Sequence, residues 1–442
     1  MVPHQTPKGI TTRRREIEAM QLPQSLTYQY AYGSDTTEIT YLKNRDLNSR
    51  VQDDSVILGP NLFGIITYRP NAWLETTLEM RVEQLIAAQE ETQVILPDGT
   101  VQVAEKKRLS LLVDQAHVTF KEVGPFNVTV GRRNFEDGRL WLYDAPLDGL
   151  IVKLKQGDVH TEASVTRENY FDGELLYSAP RGKINNYMLY TEYRGIEDST
   201  LAAYAIKRDD TTGQEGEPLH LGMRAYGRPT DNFNYWTELG FSRGRDELKQ
   251  KLKGYAFDVG GTYRFLDLPL QPSATLRYAF GSGDSSQDDN TNHEFRQTGL
   301  QSNEGKFGGV TQFKTYGEML DPELTNLKIL TAGVGCRPAE NTFVDLVYNH
   351  YQLAEMASGE LFSSGLTALM NLDDEHLSKD VGSEIDLILG FRNLFGLRGV
   401  GFDLRMGWFF PGKAYRLTDG DPADPTFRKA DQAVSVLAVF IF

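Results

Sequence analysis

From about Leu26 to Phe442 the chain alternates apolar and polar residues with a period of two, and its connections alternate short and long. Few folds are compatible with both patterns. Trp73 to Glu83 shows the first: Leu74, Thr76, Leu78, Met80 and Val82 point one way, and Glu75, Thr77, Glu79, Arg81 and Glu83 the other. Tyr255 to Phe265 repeats it, with Tyr255, Phe257, Val259, Tyr263 and Phe265 opposite Asp258, Thr262 and Arg264. In Gly401 to Phe409, Phe402, Leu404, Met406 and Trp408 oppose Asp403, Arg405 and Gly407.

Eighteen such segments can be read, at 25–42, 55–68, 72–89, 108–121, 125–134, 147–155, 158–168, 183–194, 198–207, 218–226, 233–244, 252–265, 270–281, 326–336, 341–354, 381–393, 399–411 and 428–442. Short links such as Arg69 to Asn71, Gln156 to Gly157 and Arg337 to Glu340 fall between long ones such as 90–107, 282–325 and 355–380. A sandwich has no reason to sort its loops by parity, whereas an up-and-down barrel across a membrane does. The expected fold is all-β: a closed antiparallel 18-stranded transmembrane β-barrel with short periplasmic turns and long extracellular loops. Closure gives every backbone N–H and C=O a partner in lipid. Residues 25–442 form one barrel domain in this reading, preceded by a flexible extension at 1–24, with the loop 282–325 at the mouth or in the lumen.

Composition narrows the alternatives. No run approaches the roughly 18 to 20 apolar residues of a spanning helix, which excludes a helical membrane protein. A net charge of −15 argues against a nucleic-acid partner. The single cysteine, Cys336, allows no internal disulfide and no cysteine metal cluster. On the last segment Val434, Val436, Ala438, Phe440 and Phe442 share one face, a pattern like the C-terminal assembly signal of bacterial barrels. A bacterial outer-membrane location follows, with lipid around the barrel. Met1 to Gln21 carries Arg13, Arg14 and Arg15 without an apolar run after them, so an exported chain is expected to have had its leader removed or replaced.

If the apolar columns face lipid, the other columns line water. They hold Glu75, Glu79, Arg81, Glu83, His117, Lys153, Lys155, Glu162, Glu192, Arg224, Glu238, Asp258, Arg264, Arg277, Asp345, Glu384, Asp386, Asp403 and Arg405. Barrels of 16 to 18 strands leave an aqueous passage, and rings of fixed charge set its selectivity. Taken singly, each charge reads more simply as half of an ion pair between strands. The seven histidines show no HExxH spacing, and Gly281-Ser282-Gly283 lacks the third glycine of a phosphate loop. Asp284 to Asp289 and Asp419 to Asp424 read as solvated acidic loops before they read as calcium sites. No catalytic residue, metal or cofactor is expected.

The stretches Phe280-Gly-Ser-Gly-Asp284, Phe295-Arg-Gln-Thr-Gly-Leu-Gln-Ser-Asn303, Tyr316-Gly-Glu318 and Glu323-Leu-Thr-Asn-Leu327 resemble the alginate export proteins of Gram-negative outer membranes. Weaker similarity lies at Gly131-Arg-Arg133 with Trp141, and at Pro411-Gly-Lys-Ala-Tyr415. The resemblance implies an eighteen-stranded monomeric pore with a basic constriction that attracts a uronate polymer. Arg132 or Arg133 and Arg405 match basic lumen positions of that family, and alternation places Arg133 inward. Asp114 and Asp403 depart from the pattern, standing where basic residues are expected. Gly309 to Lys314 keeps only Lys314 of a region that is arginine-rich in the family, and the turn at Asn393 to Leu397 is shorter than the family's long periplasmic turn.

The expected function is passive export of an anionic, alginate-like exopolysaccharide, with periplasmic export proteins as candidate partners. The substrate path is read as Arg81, Arg132, Arg133, Lys153, Arg224, Arg264, Arg277, Lys314 and Arg405, with Glu79, Asp114, Glu384, Asp386 and Asp403. Two other readings stand beside it: a substrate-selective porin for uptake of small solutes or sugars, and a surface enzyme acting on polysaccharide through paired carboxylates.

Overall fold

In the computed structural model the alternating segments form one closed barrel. The structure describes residues 5–6, 9–10, 27–34, 37–87, 92–95, 101–104, 107–177, 182–212, 216–286, 289–356, 361–368, 370, 378–421 and 424–442. The expected extension at 1–24 lies almost wholly outside them. The staves are β1 (Thr27–Gly33 continued by Thr37–Lys43), β2 (Ser55–Gly59 continued by Asn61–Asn71), β3 (Leu74–Ala87), β4 (Lys107–Val123), β5 (Phe126–Glu136), β6 (Asp144–Gln156), β7 (Val159–Arg167), β8 (Ile184–Ile196) and β9 (Ser199–Asp210). The second half comprises β10 (Glu217–Thr230), β11 (Phe233–Arg245), β12 (Tyr255–Arg264), β13 (Ser273–Gly281), β14 (Leu327–Ala339), β15 (Thr342–Leu353), β16 (Asp380–Arg392), β17 (Gly401–Pro411) and β18 (Ala433–Ile441).

Each stave pairs antiparallel with its neighbours, and β18 closes on β1 from Val434↔Lys43 to Phe440↔Thr37. Ser34 and Phe442 seal the seam by exchanging two backbone hydrogen bonds, at 2.9 and 3.0 Å. The sheet therefore has no open edge, which a hydrocarbon surround requires. Pro60 interrupts β2 because it has no N–H to give, but its carbonyl still accepts from Gln84 N–H at 3.0 Å.

Side-chain alternation assigns the two faces as the sequence predicts. Leu78, Val82, Leu239 and Val259 are exposed on the outside, whereas Thr77, Glu79, Glu238 and Asp258 on the same strands are buried inside. Exposed aromatics mark both rims: Trp73, Phe120, Phe126, Tyr193, Phe233 and Tyr263 at the turn end, and Tyr187, Phe241 and Tyr255 at the loop end. Such paired girdles sit at the two membrane–water interfaces.

The connections sort by side as expected, although their lengths overlap. The 211–216 connection on the loop side is shorter than the 265–272 connection on the turn side. One irregularity opens the wall between β4 and β5. β5 stops pairing with β4 at Ala116↔Arg132, while β4 continues to Lys107. Gly131 makes that departure with φ 125°, and a Cβ there would lie 2.2 Å from the Ala116 carbonyl oxygen. The connection after β7 fills the gap: Val113 N–H donates to Gly173 O at 2.7 Å and Leu175 N–H to Leu111 O at 2.8 Å.

The outside and inside columns should respond differently to charge. Val259→Arg, on the lipid face, should cost about 2–4 kcal/mol of folding stability. Thr119→Lys, on the inward face, half-buried and opposite Glu75, should cost far less. Denaturant unfolding of the protein in lipid vesicles checks both.

Candidate functional site

Two connections turn inward and fill much of the lumen. The first, 137–143 between β5 and β6, carries Asp137, Arg139 and Trp141. The second, 282–326 between β13 and β14, carries Phe295, Phe307, Phe313, Tyr316 and Met319, all buried. They meet where the Trp141 indole N–H donates to the Tyr316 hydroxyl at 2.9 Å.

Charges on the wall hold them there. Arg224 Nε donates to Glu238 at 2.9 Å, and its guanidinium also pairs with Asp137. Arg139 reaches Glu238 at 3.2 Å and Asp258 at 3.0 Å. Arg277 grips Asp258 through Nε and Nη2 at 2.9 and 2.6 Å, and donates to the Thr315 carbonyl at 3.0 Å. Three arginines thus face three carboxylates, and the buried network is neutral. Tyr316 adds its hydroxyl to Asp258 at 3.2 Å.

A second set of anchors uses carboxylates alone. Glu384 accepts the backbone N–H groups of Met319 at 2.5 Å and Leu320 at 2.9 Å. Asp386 accepts Glu318 N–H at 3.3 Å and Asn349 Nδ2 at 3.1 Å. Nearer the turn end, the Thr311 hydroxyl donates to Asp403 at 2.8 Å. On this connection burial raises the Glu318 carboxyl to about 7 against the pull of Arg405. Burial also lowers the Lys306 ammonium to about 8, and Arg392 beside it acts in the same direction.

These contacts divide the residues read from the sequence. Arg224, Arg277, Glu384 and Asp386 point inward as expected, but they are buried behind the infolded connections and anchor them, so they do not line a path. Arg132 is a different correction. It shares the outward column of Val130, and its guanidinium is buried in the wall, bonded to Asp148 at 2.8 and 2.9 Å, Asn169 at 3.0 Å and the Phe171 carbonyl at 2.8 Å. It seals the gap between β4 and β5.

Arg133 belongs to the inner column with Thr129 and Gly131. Arg81 also faces inward and pairs with Asp114 at 2.8 Å. Glu79, buried, accepts from Gln115 at 2.6 Å. Lys153 pairs with Glu162 at 2.6 Å, and Arg405 faces Glu304 at 3.6 Å and Glu318 at 3.9 Å. Lys314, on the infolded connection, pairs with Asp321 at 3.3 Å. Arg264 is half-buried near the turn end, 3.4 Å from the Phe307 carbonyl. Asp403 pairs with Arg392, at 3.1 Å through Nη2.

Sequence reasoning missed the inward anchors Asp137, Arg139 and Trp141, and the cations Arg69, Lys121, Arg194, Lys306 and Arg392. One signal was present for the first group: Leu140-Trp-Leu-Tyr143 is too apolar for a connection that faces water. Nothing in the strand pattern marks the rest, because an inward Arg at a strand end looks like an interfacial one.

An apolar exterior with aromatic rims, a charged interior and a connection folded into the lumen define an outer-membrane pore-forming barrel of the porin class. Solved structures share the architecture. OccK9 (OpdG) of Pseudomonas aeruginosa superposes with a TM-score of 0.58 at 10% identity, covering 94% of this chain and 97% of that one. OccK1 (OpdK) of the same species gives 0.55 at 13%, covering 92% and 98%. At such identities the likeness is one of fold.

The chain belongs to the alginate export family, which it matches over residues 20–428. It is 29% identical over 169 residues to the alginate production protein AlgE of Azotobacter vinelandii, covering 34% of this chain and 35% of that protein. Against AlgE of Pseudomonas aeruginosa it is 28% identical over 246 residues, covering 49% and 48%. The chain thus spans about half or less of the curated relatives it matches. Its location is the bacterial outer membrane, and its family and fold are those of a transport porin.

Removing one member of the neutral network should be expensive. Arg224→Met leaves Asp137 and Glu238 with a buried charge unbalanced, at a cost of about 3–5 kcal/mol. It should also loosen 137–143, read as faster proteolytic cleavage there and a larger, noisier single-channel conductance.

Proposed function

We propose that this barrel is a passive export pore for an anionic, alginate-like exopolysaccharide. One observation carries the reading: near the turn end of the lumen four ion pairs leave the cation more open to water than its carboxylate, while Arg228–Asp231 does the reverse. The side chains of Arg69 and Lys121 are each 35% exposed, while the Glu75 they share is 17% exposed. Lys153 is 40% exposed against 23% for Glu162, and Arg194 42% against 10% for Glu192. Lys155 is exposed with no acidic partner among the described residues.

A polyanion arriving from the periplasm therefore meets a rim of half-solvated ammonium and guanidinium groups. The Lys153–Glu162 pair, the more open of these on its acidic side, holds weakly, by roughly 0–1 kcal/mol, so a polymer carboxylate exchanges with Glu162 at little cost. Asp114 and Asp403, the acidic departures from the family pattern, each have an arginine partner and add little repulsion. Glu38 and Glu83 also face inward, in a stretch of wall shared with Arg81 and Arg405, so the lumen past the inner mouth is of mixed charge. Attraction at the inner mouth concentrates the polymer there, and its own gradient supplies the direction of passive movement.

Planar-bilayer recording tests this. The pore should prefer anions, and oligouronate added on the turn side should block it more strongly than the same concentration on the loop side. Lys153→Glu with Lys155→Glu should abolish the preference and weaken the block at least tenfold. Equal block from both sides, or none, would instead support a porin for small solutes.

Lys306 adds a pH signature. With its ammonium near 8, it is charged at pH 7 and neutral at pH 9. Anion preference should fall across that interval, and Lys306→Arg should remove the step.

A further inference from the structure

The outward face also carries an unexplained charge pattern. Near the loop ends of the strands, where lipid-facing columns should turn aromatic, cross-strand register builds one row on neighbouring staves. Tyr187 of β8 opposes Lys207 of β9, Lys207 opposes Leu219 of β10, and Leu219 opposes Arg243 of β11. Arg243 then donates to the carbonyl of Gly254, beside Lys253, at 2.9 Å. Tyr187, Leu219 and these cations share the outward parity of Leu189, Leu221 and Phe241, so they face what surrounds the barrel.

These cations are not spent on the protein. Lys207 and Lys253 are exposed, and neither forms an ion pair among the described residues. Arg243 gives its hydrogen bonds to backbone carbonyls and lies over the Phe241 ring at 5.4 Å, which fixes it at the edge of the aromatic girdle. The outward carboxylates on the same staves, Asp209 and Glu217, stand opposite Asn185 and Arg245 in the ladders. Across the barrel, the corresponding outward positions of β1 to β4 and β16 to β18 hold Lys43 and, at the end of β4, Lys107, among residues such as Tyr41, Val82, Leu111 and Trp408. The chain as a whole carries −15, so a basic sector on one side departs from its average.

We infer that the outer rim of β8 to β12 is a binding surface for a phosphorylated glycolipid of the outer leaflet. Lys207, Arg243 and Lys253 would take the headgroup phosphates, and Tyr187, Leu219 and Phe241 would meet the acyl chains below. Basic side chains just beyond an apolar belt are placed where anionic headgroups lie, and each strengthens the attraction several-fold. Two features make the row more than a solvated edge. It follows the curvature of the ladder, so its charges are held at neighbouring-strand spacings. It also continues an apolar surface that lipid must cover. This surface is separate from the lumen, so it stands or falls independently of the export reading.

The test uses the full-length protein in neutral detergent, titrated with bisphosphorylated lipid A and, in parallel, with its dephosphorylated form. Bound lipid is read by native mass spectrometry. The protein should retain the phosphorylated form, and Lys207→Gln, Arg243→Gln and Lys253→Gln together should weaken retention on the order of a hundredfold. Binding of the dephosphorylated form should be the same for both proteins. Lys43→Gln, on the opposite sector, should leave binding intact, and the heat-dependent gel shift of the folded barrel confirms that each variant folds. Equal retention of both lipids, or an unchanged triple variant, would overturn the assignment.

Discussion

Arg139, Arg224 and Arg277 lie between Asp137, Glu238 and Asp258, and this balance of charge inside the barrel shapes everything else in the lumen. An eighteen-stranded cylinder alone leaves a wide aqueous hole. Here the hole is reduced by two connections that carry their own charge inward and meet the complement on the wall. Neither side is stable without the other. Burying Arg224 or Asp258 unpaired would cost several kcal/mol per ion. Strands β10 to β13, together with the anchors on β16 and β17, are therefore committed to holding a plug, and the rest of the wall is left to face cargo.

The outside obeys a different constraint. There the backbone, not the side chains, sets the terms, since each N–H and C=O needs a partner in hydrocarbon. The seam between β1 and β18, the carbonyl of Pro60 and the Gly173 to Leu175 patch on β4 are three local answers to that demand. Arg132 belongs with them. Its position in an outward column would be costly if exposed to lipid, and it survives because Asp148, Asn169 and the Phe171 carbonyl surround it.

The sequence made the cylinder legible because a period of two is a property of local backbone geometry. Glu79, Asp258 and Arg405 all face inward, as alternation says they must. What lies in front of an inward residue depends on contacts between distant parts of the chain. Arg277 and Lys153 look alike in sequence, each a basic residue in a polar column, yet one is sealed beneath Tyr316 and the other is half in water. The error at Arg132 is of another kind. The family resemblance did not choose between Arg132 and its neighbour, whereas alternation on β5 correctly placed Arg133 inward, and the pairing with Asp148 holds Arg132 in the wall.

Because the wall is fixed by lipid while the connection after β13 is fixed only by its anchors, gauge and frame are specified by separate stretches of chain. A longer or shorter insert between Gly281 and Leu327 could retune the calibre without disturbing a single rung of the ladder. Related barrels with one scaffold could on that account serve thick and thin filaments alike, each fitted with its own bushing.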